Sequence, residues 1–112
     1  MQRFLVEASY TSEGVKGLMK DGGSGRRAAV EAAVKGLGGK VEAMYFAFGA
    51  SDVVVILDMP DNVAAVALAM AVNAPGTVRT RTTPLLTPEE MDQAAKKSVS
   101  YLAPGEAAGR RR

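Results

Sequence analysis

The stretch from Lys40 to Asp58, KVEAMYFAFGASDVVVILD, decides the fold of this chain. Residues 43–48 are rich in aromatic and large apolar side chains, and residues 53–57 form an unbroken run of β-branched and aliphatic ones. A short polar turn, GASD at residues 49–52, separates the two runs, which is the pattern of a β-hairpin. Both arms are apolar on both side-chain parities, so the predicted hairpin must be covered on both faces.

The segment before the hairpin predicts one strand and one helix. Residues 3–10 alternate as a strand does, and Thr11 or Ser12 can cap the helix that follows. Three glycines within residues 22–25 are costly inside a helix, so we expect an interruption there before helical spacing resumes to Leu37.

The segment after the hairpin predicts a helix, a strand and a second helix. Asp61 is placed to cap a helix over residues 63–72, which is apolar all the way round. Residues 77–83 then alternate threonine and arginine and predict a strand. Residues 87–90, TPEE, form a capping box with proline at the first helical position, so a last helix is expected to run to about residue 98.

This order, β-α-β-β-α-β plus a C-terminal helix, predicts an α+β fold with a ferredoxin-like antiparallel sheet. Right-handed crossovers place the first and third strands in the centre, with the hairpin's first arm and the threonine–arginine strand at the edges. Helices then cover one face of the sheet, while the other face still carries apolar side chains. We therefore expect the protein to bind itself, as a dimeric α/β barrel-like assembly or a higher homo-oligomer, with the apolar second helix making further contacts.

Length and charge predict one ferredoxin-like domain over residues 1–101 and a disordered basic tail over residues 102–112. The chain of 112 residues has 14 Lys and Arg against 12 Asp and Glu, and three of the basic residues are Arg110 to Arg112. The body without them is close to neutral, so the composition does not indicate a nucleic-acid partner.

Several classes of chemistry are excluded by residues that the chain lacks. It has no cysteine and no histidine, which removes disulfides, thiol chemistry, Ser-His catalysis and most zinc sites. The acidic residues show no metal-binding pattern, and we expect neither a cofactor nor a catalytic residue. The N-terminus does not have the pattern of a signal peptide, and the apolar helix is too short to cross a membrane; a cytoplasmic protein without a membrane partner is expected.

Several blocks of sequence together resemble the GYD domain family. They are ASYTSEGVKGL, GGSGRRAAVEAAVKGLGG, YFAFG, VVVILDMPD and TTPLLTPEEMDQAAKKSV, and the likeness extends to about Tyr101. The resemblance implies a dimeric ferredoxin-like α+β fold and no established activity. The family is named for a Gly-Xaa-Tyr-Asp motif; Gly49 and Asp52 match it here, and Ser51 stands where the family has tyrosine.

Candidate ligand-binding residues lie on the strands and at their ends. Arg79 and Arg81 are two residues apart on one predicted strand, so they project from the same face and can anchor a carboxylate or phosphate. The alternative is that they protect an edge strand by charge, with Glu7 on the neighbouring strand as a partner. The other candidates are Tyr10, Lys16 and Tyr45, for which the alternative is packing against the core.

Two further features have a structural and a functional interpretation. Gly49 and Asp52 are assigned to the turn, where the carboxylate can accept hydrogen bonds from backbone amides. The segment GGSGRR at residues 22–27 can cradle an anion or act as a hinge between two helical pieces, and the hinge is favoured.

Three functions remain open from the sequence. The favoured one is a small-molecule-binding or regulatory module with a small anionic ligand. The alternatives are a cofactor-free enzyme of the dimeric α+β barrel type and a purely structural oligomer. We expect apolar side chains to fill the helix-covered side of the sheet, and therefore expect the ligand on the open side. A pocket with a few converging polar groups would favour binding or catalysis, and a solid core would favour the structural oligomer.

Overall fold

The computed structural model describes residues 1–106, which form a four-stranded antiparallel sheet and three helices. The elements are β1 (Gln2–Tyr10), α1 (Ser12–Gly36), β2 (Lys40–Phe46), β3 (Val53–Met59), α2 (Asn62–Asn73), β4 (Val78–Leu85) and α3 (Pro88–Ala95). The strand order is β2-β3-β1-β4, so β1 and β3 are central and β2 and β4 are the edges. The α+β class and this order are confirmed. The predicted tail residues Arg110 to Arg112 lie outside the described residues.

The hairpin turns earlier than its apolar composition predicted. Strand β2 ends at Phe46, and Phe48, which we expected in the arm, is a fully exposed loop residue. The reason is that the amide of Ala47 donates to the carbonyl of Asp52 at 2.8 Å, which closes the loop at that point. The predicted arm over residues 43–48 is therefore two residues too long.

The last strand and the last helix also differ from their predicted bounds. The carbonyl of Thr77 accepts hydrogen bonds from the amide and the hydroxyl of Thr11, at 3.0 and 3.2 Å, and β4 begins one residue later. The capping box at Thr87 and Glu90 is confirmed in both directions. Helix α3 ends at Ala95 rather than near residue 98, because the amides of the next two residues bond three residues back and the helix stops.

Helix α1 is a single helix with one kink, at Gly22, where φ is 75° and ψ is 165°. This left-handed φ is one that glycine adopts without strain, and the predicted break between two helical pieces is confirmed. The interruption is narrower than predicted, because residues 23–25 are helical. The first half begins beside Thr77 at the start of β4, and by Gly23 the helix lies against Phe46 at the end of β2. The second half then returns along the sheet.

The core lies between one face of the sheet and the two long helices. Alternate residues of β1 and β3 supply its floor, and Val34 of α1 with Ala65 and Leu68 of α2 cover it. The opposite face of the sheet has no helix packed on it to any extent among the described residues. We call this second surface the open face. None of the helices within residues 1–106 combines the length and apolar character that a membrane span requires.

A charged pair at one end of the open face joins the two central strands. Arg3 lies opposite Asp58 in the register, and its Nε donates to the Asp58 Oδ1 at 3.0 Å. Glu42 approaches the same guanidinium at 3.7 Å. The hydrogen bond from Arg3 holds the pKa of the Asp58 carboxyl below its ordinary value, against a smaller opposing effect of burial.

We expect the contribution of this pair to stability to depend on pH. Because the folded pKa of Asp58 is lowered, the stabilisation is present above the ordinary pKa of 3.8 and is lost as the pH falls through the folded value. The variant Asp58→Asn should therefore be less stable than the wild type at neutral pH, and the difference should shrink as the pH is lowered below 3.8. Denaturant unfolding at neutral pH and at a series of pH values below 3.8 measures it, with Glu7→Gln as the control on an exposed pair. A difference that does not change with pH would contradict the assignment.

Candidate functional site

A cavity of about 130 Å³ lies between the covered face of the sheet and helices α1 and α2. The two helices pack separately on the sheet and hardly contact each other. The cavity occupies the space between them, and its lining is almost entirely apolar. Its floor is built from alternate residues of β1, β3 and β4, including Phe4, Val6, Ala8, Val55, Leu57 and Val78.

The cavity exists because small side chains line the helix walls. Ala29 and Ala33 line it from α1, and Ala65 and Ala69 line it from α2. Our expectation that the helices fill this side of the sheet is therefore wrong. At about 24 cal/mol per Å³, leaving this volume empty costs about 3 kcal/mol of stability. A fully packed core would avoid this loss of stability. A binding site, in contrast, must leave a cavity that its ligand can occupy.

A charged and a phenolic side chain lie at one end of the cavity, beside the kink in α1. Arg26 is the charged residue among those lining the cavity, and Tyr10 lines the same end. Thr80 and Thr82 line the cavity from further along β4, and the hydroxyl of Thr80 already accepts from the Asn73 amide at 2.8 Å. The Arg26 Nη1 lies 3.5 Å from the Asp21 Oδ2, which is a long ion pair.

A second, more polar space of about 220 Å³ lies next to the cavity, and we call it the outer recess. Tyr10, Arg26 and Val78 line both spaces and form the boundary between them. The outer recess is otherwise lined mainly by the first half of α1, including Glu13 and Asp21. Charged groups therefore lie on one side of this boundary and apolar side chains on the other.

Asp52 holds the end of β1 on which Tyr10 lies. Its Oδ2 accepts from the backbone amide of Tyr10 at 2.8 Å, and its own amide donates to the carbonyl of Ala8 at 2.8 Å. The prediction that this carboxylate accepts a backbone amide is confirmed, although the amide belongs to β1 rather than to the turn itself. Around Gly49 the space is open and φ is not positive, so neither feature requires glycine there.

Removing the Asp52 carboxylate should lower stability measurably. In Asp52→Ala the half-buried amide of Tyr10 loses a charge-assisted acceptor, and we expect the free energy of unfolding to fall by about 1.5–3 kcal/mol. Asp52→Asn keeps an oxygen acceptor and should cost less. Denaturant unfolding of both variants distinguishes them. Equal stability of Asp52→Ala and wild type would contradict this role.

The arginine pair of β4 lies on the open face, away from the cavity. Arg81 is directly opposite Glu7 in the register, with 3.7 Å between the guanidinium and the carboxylate. The predicted cross-strand partner is therefore confirmed for Arg81. Arg79 is exposed and lies opposite Ser9, one pair further along. That either arginine anchors a ligand stays a prediction.

Of the other predicted ligand-binding residues, Tyr10 alone lines the cavity. Lys16 is exposed and pairs with Glu13 at 3.5 Å. Tyr45 is exposed on β2, opposite Val54, where it borders a shallow surface recess. The cavity lining also includes Arg26, which sequence reasoning treated only as part of a glycine-rich segment. Its spacing from Val30 and Ala33, four and seven residues, was the signal that places it on the inward face of α1.

Comparison with protein families identifies the chain. The family model described as the GYD domain matches residues 4–95, which contain all the strands and helices named above apart from the first two residues of β1. Comparison with the curated proteins and with the solved structures gives no significant match. The matched segment includes the kinked α1, the hairpin with its Gly49 and Asp52, and the capping box of α3. On this match the chain belongs to the GYD domain family.

Proposed function

We propose that this protein is a small-molecule-binding module whose site is the cavity between the sheet and helices α1 and α2. The cavity is the observation that supports the proposal, because it combines an apolar interior with a few polar groups at one end. No catalytic apparatus is part of the proposal: the polar groups at the cavity suit recognition of a charged end of a ligand. The lining residues Arg26 and Tyr10 would fix that end.

The volume of the cavity sets the size of the apolar part of the ligand. A dry apolar cavity of roughly 150 Å³ binds benzene in another protein, and the present cavity is about 130 Å³. Sites for drug-sized molecules are larger, at about 300–1,000 Å³. The buried part of the ligand is therefore a small hydrocarbon group, and any larger or charged part remains in the outer recess.

Benzene and toluene test whether the cavity is accessible. We expect both neutral probes to raise the melting temperature of the wild type in a concentration-dependent way. The variant Ala69→Leu places three more heavy atoms at the cavity and should abolish this shift. The matched control is Ala67→Leu, an exposed position on the same helix that does not line the cavity. Its probe response should equal that of the wild type.

The outcome of this comparison is decisive for the site. No shift in the wild type, or an equal shift in wild type and Ala69→Leu, would contradict binding in the cavity. Without ligand, a higher melting temperature of Ala69→Leu than of the wild type would show that the cavity is empty in the free protein. The reason is that filling an empty cavity restores packing contacts.

We also propose that the protein binds a second copy of itself through the open face. Leu5, Val54 and Ile56 lie side by side there on the two central strands and are only half-buried in the single chain. Helix α2 carries further exposed apolar side chains at Val63 and Met70. These surfaces support a homo-oligomer, since contiguous exposed apolar patches are uncommon on monomers.

Light scattering during size-exclusion chromatography tests the assembly. We expect at least a dimer at micromolar concentration, and Ile56→Glu should dissociate it by placing a charge in the middle of the open face. Val63→Glu tests whether α2 also takes part in the dimer interface. Because the proposed interface is the open face, this variant should leave the dimer intact. A wild-type monomer at this concentration would contradict the proposal.

A further inference from the structure

We infer that the ligand of the cavity is an apolar α-amino acid, bound as a zwitterion between Arg26 and Asp21 with its side chain in the cavity. This inference rests on the proposed function, because it takes the cavity as the binding site. It adds the chemical class of the ligand and the residues that select it. Three features of the described structure carry it: the charges at the boundary, the polarity of the two spaces and the kink in α1.

The charges at the boundary have both signs. Arg26 and Asp21 both line the outer recess, and their side chains are 33% and 45% exposed, so both can still be reached from solvent. They lie 3.5 Å apart and are not joined by a hydrogen bond, which leaves donors of Arg26 free for another partner. Glu13 also lines the recess, but its carboxylate is next to Lys16.

A neighbouring positive and negative group is complementary to a ligand that carries both charges on one carbon. A simple carboxylate would meet Arg26 but would also lie beside the carboxylate of Asp21. A simple amine would meet Asp21 but would lie beside the guanidinium. An α-amino acid satisfies both, because its carboxylate can face Arg26 while its ammonium group faces Asp21.

The polarity of the two spaces orients such a ligand. Tyr10, Arg26 and Val78 form the boundary, so charged groups held there point the rest of the molecule into the apolar cavity. The hydroxyl of Tyr10 makes no hydrogen bond to another described residue and can donate to the ligand carboxylate. The cavity volume accepts an isobutyl or a benzyl group, and it disfavours polar side chains because they would be buried without partners.

The kink explains how a ligand can enter between the two charged residues. Asp21 precedes Gly22 and Arg26 follows it, so one continuous helix does not fix their separation. A change of the backbone at Gly22 can move the two halves of α1 apart while each half keeps its own hydrogen bonds. The ion pair therefore joins the two halves of α1 across Gly22, the residue at which the helix can bend most easily.

Calorimetry with matched ligands tests the inference on the full-length protein. L-leucine is compared with 4-methylpentanoate, which lacks the amine, and with 3-methylbutylamine, which lacks the carboxylate. L-phenylalanine, 3-phenylpropanoate and 2-phenylethylamine form the second set. We expect the amino acid of at least one set to bind ten- to a hundredfold more tightly than both of its partners, as the loss of one charge-assisted contact implies. Equal affinity of an amino acid and its carboxylate partner would overturn the inference.

Substitutions then test which residues contact the amino acid. Arg26→Gln and Asp21→Asn should each weaken binding of the amino acid about ten- to a hundredfold. The control is Arg79→Gln with Arg81→Gln, on the opposite face, which should leave the amino-acid affinity unchanged. If binding is weaker only in this control, the residues that anchor the ligand lie on the open face, and the inference is overturned.

The two proposals fail in different ways. If benzene and toluene do not bind, the cavity is not a site and the proposed function falls with the inference. If they bind and neither amino acid does, the cavity stands and only the ligand class is wrong. Unchanged amino-acid affinity in Arg26→Gln would overturn the inference by removing Arg26 as the anchor, while the cavity stands as a site.

Discussion

Replacing Met59 by alanine is expected to lower the free energy of unfolding by about 2–5 kcal/mol. Met59 is fully buried at the end of β3, and its sulfur packs beneath Gly39, where an added Cβ would lie 2.5 Å from Sδ and 3.0 Å from Val34 Cγ1. The side chain therefore fills the junction where α1 ends and β2 begins. Truncating it leaves a void that the surrounding backbone has little freedom to close, because Met59 pairs with Gln2 of β1 and the preceding Asp58 pairs with Lys40 of β2.

Denaturant unfolding measures the effect of Met59→Ala. The matched control is Met19→Ala, since Met19 is 79% exposed in the first half of α1 and its truncation should change stability by less than about 0.5 kcal/mol. A small domain has about 5–15 kcal/mol of stability in total, so the core variant should be close to unfolding at elevated temperature. Equal effects of the two substitutions would show that the junction is not packed as described.

Replacing Gly14 by alanine should also be strongly destabilising, with an expected loss of about 1–3 kcal/mol. A Cβ at this position would overlap the carbonyl oxygen of Thr77 and lie 2.9 Å from the Tyr10 ring. That same carbonyl accepts two hydrogen bonds from Thr11, which begin α1 and hold it to β4. The backbone carbonyl cannot move aside without breaking them, so the close approach requires glycine.

Gly17 provides a control on the same helix. An added Cβ there meets nothing within 4 Å, so Gly17→Ala should raise stability by about 0.5–1 kcal/mol through helix propensity. Opposite signs for the two glycine-to-alanine changes are the expected result in thermal and denaturant unfolding. If Gly14→Ala is also stabilising, the contact between α1 and the start of β4 is looser than the structure places it.

Local signals in the sequence were sufficient to predict the helices and strands and their order along the chain. The apolar runs of the hairpin, the cap at Asp61 and the capping box at Thr87 each act over a few residues; both caps appear where predicted, and the hairpin appears with a shorter first arm. The central position of β1 and β3 followed from the handedness of the crossovers. The pairing of Arg81 with Glu7 could be anticipated for the same reason, because neighbouring strands put facing residues within reach.

The ends of elements depended on contacts that no local pattern contains. Phe48 looked like part of a strand by composition, but the bond between Ala47 and Asp52 closes the loop before it. Likewise, the Asp52 carboxylate was expected to serve its own turn, and its partner is the amide of Tyr10, which is 42 residues away in sequence. Both outcomes require the position of one strand relative to another.

The class of fold, the family and the apolar character of α2 can all be inferred from local patterns of residues. That α1 and α2 stand apart on the sheet and leave a cavity with Arg26 and Tyr10 at one end emerges only from the folded chain. The physical reason is that the alanines of both helices are compatible with close packing and with an open space alike, because their small side chains do not dictate the separation of the helices.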